Sequence, residues 1–268
     1  MSSTHLLELS RQRRLKAKRM AIAIWLLRLG ILVGGLAAWE LAARFRVIDP
    51  AFLSSPVKVA IYLEKHFGTI IVKHAGVTVF SALIGFAIGS VAAVVAGFLL
   101  VRSSLLETAL DPFIILLNAF PRVALAPLFV AWLGIGAISN IVTAITVIFF
   151  IVLINVVAGA KSVDRDLQQL MKSLGASAGE QFRRLILPWA VPSIFAGLKL
   201  ALIYSMLAVI VSEMMAGSNG LGGQVAYLSN TFQMDGVFAV LILVAIITTL
   251  LTTTMSWIER RLLKWQQT

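Results

Sequence analysis

Six stretches of the chain are apolar for long enough to cross a bilayer: Ala21–Ala43, Val77–Val101, Pro112–Leu133, Ile138–Ala160, Ile194–Ala216 and Val237–Ile258. A helix needs about 20 apolar residues to span the hydrocarbon core. Lipid offers no partner for a free backbone N–H or C=O, so each stretch must close its hydrogen bonds internally, as a helix. The alternating ten-residue segments of a membrane barrel are absent. The pattern therefore predicts an all-α, polytopic transmembrane bundle of about six spans. Residues 1–20 form a basic N-terminal segment, residues 21–268 the transmembrane domain, and residues 161–192 its main polar loop.

Composition agrees with lipid as the solvent. Of the 268 residues 59% are hydrophobic and 13% charged, with a mean hydropathy of +0.94. Soluble domains carry about 25% charged residues. The net charge is +11, but the basic residues gather at the ends of apolar runs, which reads as membrane topology rather than nucleic-acid binding. With the N-terminus inside, fifteen Lys and Arg fall on the inner side: Arg11, Arg13, Arg14, Lys16, Lys18, Arg19, Arg102, Lys161, Arg165, Lys172, Arg183, Arg184, Arg260, Arg261 and Lys264. Only Arg44, Arg46, Lys58, Lys65 and Lys73 fall outside. This bias predicts both termini in the cytoplasm. The first run is longer than a signal-peptide core and contains Arg28 and Glu40, so it reads as an uncleaved span.

Chemistry of the usual catalytic kinds is missing from the sequence. It has no cysteine, and His5, His66 and His74 lack ligand spacing. No Gly-x-x-x-x-Gly-Lys-Ser/Thr segment is present to hold nucleotide phosphates. The expectation is a chain without enzymatic activity, cofactor or metal of its own.

Polar residues inside apolar runs are costly and mark candidate function. The third run holds Pro121, Arg122 and Pro127 after Asn118. Proline kinks a helix and a mid-span arginine avoids lipid. Interrupted helices of transporters line the substrate path. Asn118, Pro121, Arg122, Asn155 and Glu213 are therefore the candidate path residues, and a cationic Arg122 would favour an anionic solute. A purely structural Arg122–Glu213 pair is the alternative. Ser81, Gly85, Gly89, Ala93 and Gly97 recur every fourth residue and predict close helix packing, within the subunit or, as the sharper alternative, between subunits. Outside the spans, Ser54-Ser55-Pro56 can start a short surface helix. The glycines of 217–223 predict a turn or a mobile gate.

The loop between the fourth and fifth runs is the most informative stretch. Leu167, Leu170, Met171 and Leu174 recur at helical spacing, Gly175 suits a helix stop, and Ser177 with Glu180 forms a capping-box pattern. Phe182, Leu185 and Ile186 give a second short helix an apolar face, with Pro188 at its end. Two short helices meeting at a glycine make a firm protrusion for a partner.

This loop resembles the signature loop of bacterial ABC-importer permeases: Glu-Ala-Ala, three residues, Gly, nine residues, Ile-x-Leu-Pro. Gly175 is the glycine, Leu185-Ile186-Leu187-Pro188 fills the last part, and Gln169-Leu170-Met171 stands where the acidic triplet would be. Asn118-Ala119-Phe120-Pro121-Arg122, Pro127-Leu128-Phe129, Trp132-Leu133-Gly134-Ile135-Gly136, and Glu213-Met214 followed by Gly220-Leu221-Gly222 resemble the nitrate, sulfonate and taurine branch. The resemblance covers about Val77 to the C-terminus. It implies a type I importer permease in the bacterial inner membrane, paired as a homodimer. Partner ATPase subunits would bind ATP and Mg²⁺, and an extracytoplasmic protein would deliver the substrate. It also implies ATPase coupling through Leu167, Leu170, Met171, Leu174, Gly175, Ala176, Ser177, Glu180, Leu187 and Pro188. An ion-coupled secondary transporter is the alternative, but it would call for repeated halves, and no internal repeat is found.

Overall fold

The computed structural model describes residues 3–49, 52–66, 68, 72–217 and 219–263; for 3–17 and 21 it describes the backbone alone. The side chains of Arg11, Arg13, Arg14 and Lys16, together with Ser218 and Lys264, thus lie outside the described residues. The elements are α1 (Ser3–Arg44), α2 (Pro56–His66), α3 (Val72–Arg102), α4 (Ser104–Ala119), a 3₁₀ turn (Arg122–Leu125), α5 (Ala126–Leu133), α6 (Ala137–Lys161) and α7 (Arg165–Ser173). After them come α8 (Ala178–Gln181), a π turn (Phe182–Ile186), α9 (Leu187–Ala216), α10 (Leu221–Asn230) and α11 (Met234–Leu262). Among the described residues all regular structure is helical. Among the described residues five helices are long and apolar enough to cross a membrane, or six if the bent pair α4/α5 counts as one span.

The core is a three-helix packing of α3, α6 and α9. Its small-residue stripe explains how close the backbones come. A Cβ added at Gly85 would sit 2.7 Å from Ala144 Cβ, and one at Gly97 would sit 2.6 Å from Val156 Cγ1. Gly85, Gly89 and Gly97 come up against α6 of the same chain, Ala93 shares a cluster with Ile148 and Val152, and Ser81 is buried in line with them, so the stripe is an intrasubunit seam and not a contact between subunits. Lipid gives no hydrophobic drive for helix association, and such close approach supplies the dispersion that holds spans together. Gly97→Leu should lower the stability of the detergent-solubilised chain by about 1–3 kcal/mol. Gly76→Leu, where nothing lies within 4 Å of the added Cβ, should leave the thermal unfolding midpoint unchanged.

The outer faces are apolar. No residue of α4 is buried, and the apolar window of α1 is wholly exposed. A continuous apolar exterior over small-residue seams is the arrangement lipid requires.

The two ends of the bundle are tied differently. At one end Lys161 of α6 pairs with Glu107 of α4, and Phe98 of α3 meets Phe182 edge-on at 5.0 Å. At the other end α2 packs on α11: Ser54 Oγ donates to Asp235 at 2.6 Å, and Trp39 Nε1 donates to the Ser54 carbonyl at 2.8 Å. The helix expected after Ser54-Ser55-Pro56 is thus present, and it is fastened to the bundle rather than merely connecting.

Three expectations need correction. The third run starts earlier than Pro112: its helix begins at Ser104, capped by Ser103 accepting from Leu106 N–H, and the interruption expected at its prolines lies before Arg122, with a 74° bend into α5. Phe120 and Pro121 at the break leave the helical conformation, as a residue before proline tends to. Pro188 does not end a helix. It sits in the first turn of α9, and the π turn before it carries the chain on from α8, with Leu187 N–H donating to the Phe182 carbonyl. A wider turn at this point relieves the clash of the proline ring with the carbonyl four residues earlier. Lastly, residues 221–230 form a helix, α10, where the glycines had predicted only a turn or gate.

Candidate functional site

Three features carry the polar residues singled out by the sequence. The first is the protrusion between α6 and α9. Asp164 caps α7 by accepting from Asp166 N–H at 2.9 Å. Gly175, at φ +78°, closes it: Gly175 N–H donates to the Lys172 carbonyl and Ala176 N–H to the Met171 carbonyl, both at 3.0 Å. That pair of bonds is a Schellman motif, and its left-handed residue favours glycine. Directly afterwards Ser177 and Glu180 form a complete capping box: Ser177 N–H donates to Glu180 Oε2 at 3.0 Å, and Glu180 N–H donates to Ser177 Oγ at 3.3 Å. The turn is therefore fixed on both sides. Leu167, Leu170 and Leu174 point outward, exposed by 37%, 55% and 77%, with Met171 half-buried beside them. Leu187 and Pro188 lie behind the tip at the start of α9, half-buried.

The second feature is the break between α4 and α5. Arg122 turns back toward α4 and α6: Nη2 donates to the Asn118 carbonyl at 3.0 Å and to Asn118 Oδ1 at 3.1 Å, and Nη1 donates to the Val147 carbonyl at 3.4 Å. Its guanidinium carbon lies 5.0 Å from the centre of the Phe150 ring. A recess of about 590 Å³ opens here. Asn118, Pro121 and Arg122 are thus brought together at one place.

The third is the junction of α9 with α10. Glu213 is fully buried. Thr78 Oγ1 donates to its carboxyl oxygens at 2.8 and 3.0 Å, and Gly222 N–H donates to Oε2 at 2.9 Å. Leu221 N–H donates to Thr78 Oγ1 at 2.8 Å, and Gly220 N–H donates to His74 Nδ1 at 3.1 Å. Free N–H groups at the N-terminus of α10 are thereby satisfied by side chains of α3 and α9. Arg122 and Glu213 do not pair, which corrects the structural alternative. Asn155 stands apart from both: its amide donates to the Ile151 carbonyl at 2.8 Å, and its side chain fills the space opposite Gly197. Thr78, His74 and α10 were missed by the sequence reading. The signal for them was Gly220 and Gly222, which leave room for the Glu213 carboxyl and the Ile210 carbonyl.

A helical membrane bundle with an interrupted span beside an arginine, and a rigid protrusion bearing bare leucines at one end, has the form of a transporter's membrane component. Residues 85–264 match the family model of the binding-protein-dependent transport system inner membrane component. The chain belongs to this family and is a permease subunit of an ABC importer. It is 32% identical to the provisionally assigned aliphatic sulfonates transport permease protein SsuC of Escherichia coli (strain K12), over 90% of this chain and 93% of that one. With the taurine transport system permease protein TauC of the same strain it shares 30% identity over 89% of each chain. With the formylaminopyrimidine transport permease protein ThiX of Halalkalibacterium halodurans identity is 27%, over 85% of this chain and 91% of that one. Among solved structures, a bacterial ABC transporter involved in alginate import superposes with a TM-score of 0.62 at 16% identity, covering 97% of this chain and 99% of that one. That likeness carries the fold.

Proposed function

We propose that this chain moves a small anionic solute into the cytoplasm by alternating access, driven by ATP hydrolysis in separate subunits that grip the α7–α8 protrusion. The observation that carries the reading is the protrusion itself. Leu167, Leu170 and Leu174 are bare on a turn locked by a Schellman motif and a capping box. A stiff element with an uncovered apolar face transmits force to the span that continues from it, and α9 continues from it through the π turn. The sequence lacks a nucleotide-binding loop, so the energy has to enter from a partner.

The remaining assignments follow the same reading. The termini face the cytoplasm, a second copy of the chain completes the pathway, and a binding protein delivers the solute on the outer side, where α2 and α10 lie. Arg122 and Asn118 line the path at the broken span. The named cargoes of the relatives SsuC and TauC, aliphatic sulfonates and taurine, carry a sulfonate group, which an arginine recognises through charge-assisted hydrogen bonds. The two access states need only differ in solute affinity for the cycle to be driven.

The absence of native cysteine gives a direct test. With one cysteine at Ala178 and single cysteines on the co-expressed ATPase, a specific cross-link that changes with ATP is the expected result. No cross-link at any position in a well-folded complex, with uptake that follows an ion gradient after ATP depletion, would replace this reading by an ion-coupled one.

A further inference from the structure

At the α9–α10 junction the hydrogen bonds dictate the protonation state of a histidine. His74 stands in the first turn of α3, half-buried, three residues before the apolar run that begins at Val77. Its Nδ1 accepts from the Gly220 backbone N–H at 3.1 Å. A backbone N–H can only donate, so Nδ1 carries no proton and the ring is neutral, with its proton on Nε2. The Gln224 amide lies 3.1 Å from Nε2. With the proton there, the amide oxygen is the group that accepts it. His74 therefore holds α10 at two points, just before its first residue and one turn in. A protonated ring has a donor at both nitrogens. It sets Nδ1–H against the Gly220 N–H and leaves that buried donor unpaired.

We infer that His74 is an acid-sensitive latch: neutral, it fastens Gly220 and the start of α10 to α3, and protonated, it lets that entry go. Gly217 and Gly220, at φ +58° and +142°, supply the backbone freedom for the movement. The later ties remain in acid, because Leu221 N–H donates to Thr78 and Gly222 N–H to Glu213. The change is thus a loosened entry into α10 and not a lost helix. The charged and titratable groups nearby act in opposite senses. Lys73 beside the ring and the N-terminal ends of α3 and α10 disfavour a cation. Glu213 of α9, whose carboxyl lies against Gly220, favours one. From α2 comes Tyr62, stacked on His66 and packed in one cluster with Ala75. Tyr227 of α10 lies near Tyr62, and Asp235 of α11 already accepts from Ser54. The latch is at full strength where a free imidazole is neutral, above about pH 6.5, and weakens as pH falls below that value.

A nitroxide on a single cysteine at Asn219, an exposed position beside Gly220, reads the latch in the full chain in lipid nanodiscs. Between about pH 7.5 and about pH 5.5 the ratio of mobile to immobile label should rise by about tenfold. His74→Asn keeps an acceptor oxygen near the place of Nδ1 and does not titrate, so its label should stay immobile at both values. His74→Ala has no acceptor, and its label should be mobile at both. Glu213→Gln should still respond to acid. A native chain that does not respond, or a His74 variant that still does, would overturn the inference. A response lost in Glu213→Gln and kept in His74→Asn would assign the titration to Glu213 and overturn it equally. The readout is the turn itself, so it holds whichever solute the chain moves.

Discussion

Gly222→Ala is expected to be among the most damaging single-methyl changes at the described residues. A Cβ at this position would land on the Ile210 carbonyl oxygen and sit 2.8 Å from Glu213 Cβ. Neither neighbour is the loose end of a side chain, so relief requires the α10 backbone to move away from α9. That movement stretches the 2.9 Å bond from Gly222 N–H to Glu213 and the 2.8 Å bond from Leu221 N–H to Thr78 together. Overpacking alone costs about 1–3 kcal/mol, and a buried polar group left unpaired adds about 1–3 kcal/mol. A loss of about 4 kcal/mol corresponds to a drop of roughly 8–16 °C in midpoint for a chain of this size. Thermal unfolding of the detergent-solubilised protein measures it, with Gly179→Ala as the control, since nothing lies within 4 Å of a Cβ there. Glu213→Gln keeps the shape and both acceptor directions in part, so its loss should be smaller than that of Glu213→Ala. A Gly222→Ala midpoint equal to that of Gly179→Ala would mean that α10 is not pinned through Glu213.

The same junction shows why the sequence was legible in some places and not in others. Spans are read from run length, and the run length of α3, α6, α9 and α11 has one physical meaning in lipid. The α7–α8 turn was equally readable, because its bonds are local: Gly175, Ser177 and Glu180 each act on residues within a turn of themselves. Glu213 drew notice as a polar residue in an apolar run, but its partners lie 135 residues away at Thr78 and, across a glycine turn, at Gly222. Periodicity cannot register such a partner. Helix α10 was hidden for a related reason. Its first turn contains Gly222 and Gly223, both poor helix formers, and the close crossing against α9 requires the first of them. Pro188 misled in the opposite way: proline stops many helices, yet in a first turn its missing N–H costs nothing. At the third run the prolines correctly announced an interruption. The geometry added its 74° bend and the aromatic recess that the bend opens.

A pair of acidic substitutions on the protrusion, Leu170→Glu with Leu174→Glu, is expected to uncouple the transporter without unfolding it. Both positions are exposed, by 55% and 77%, and neither takes part in the Schellman bonds through its side chain. Exposed substitutions of this kind change stability by about 0.5 kcal/mol or less, so the melting midpoint should hold. If a partner ATPase buries these leucines, two carboxylates are stranded against its apolar groove. A few buried anchors dominate such interfaces, each worth about 2 kcal/mol or more. A loss of about 4 kcal/mol is roughly a thousandfold in affinity. Co-purification of the ATPase and ATP-driven uptake should fall together. Gln169→Glu, at the exposed position next to Leu170, restores the acidic residue of the family's loop and should preserve both. Gly175→Val should act differently, by straining the left-handed residue at φ +78° and loosening the turn itself. It should therefore lower uptake more than it lowers ATPase binding, because the docking leucines remain while the stiffness that carries force into α9 is lost. Full uptake by the double glutamate variant would show that α7 is not where the ATPase holds the chain.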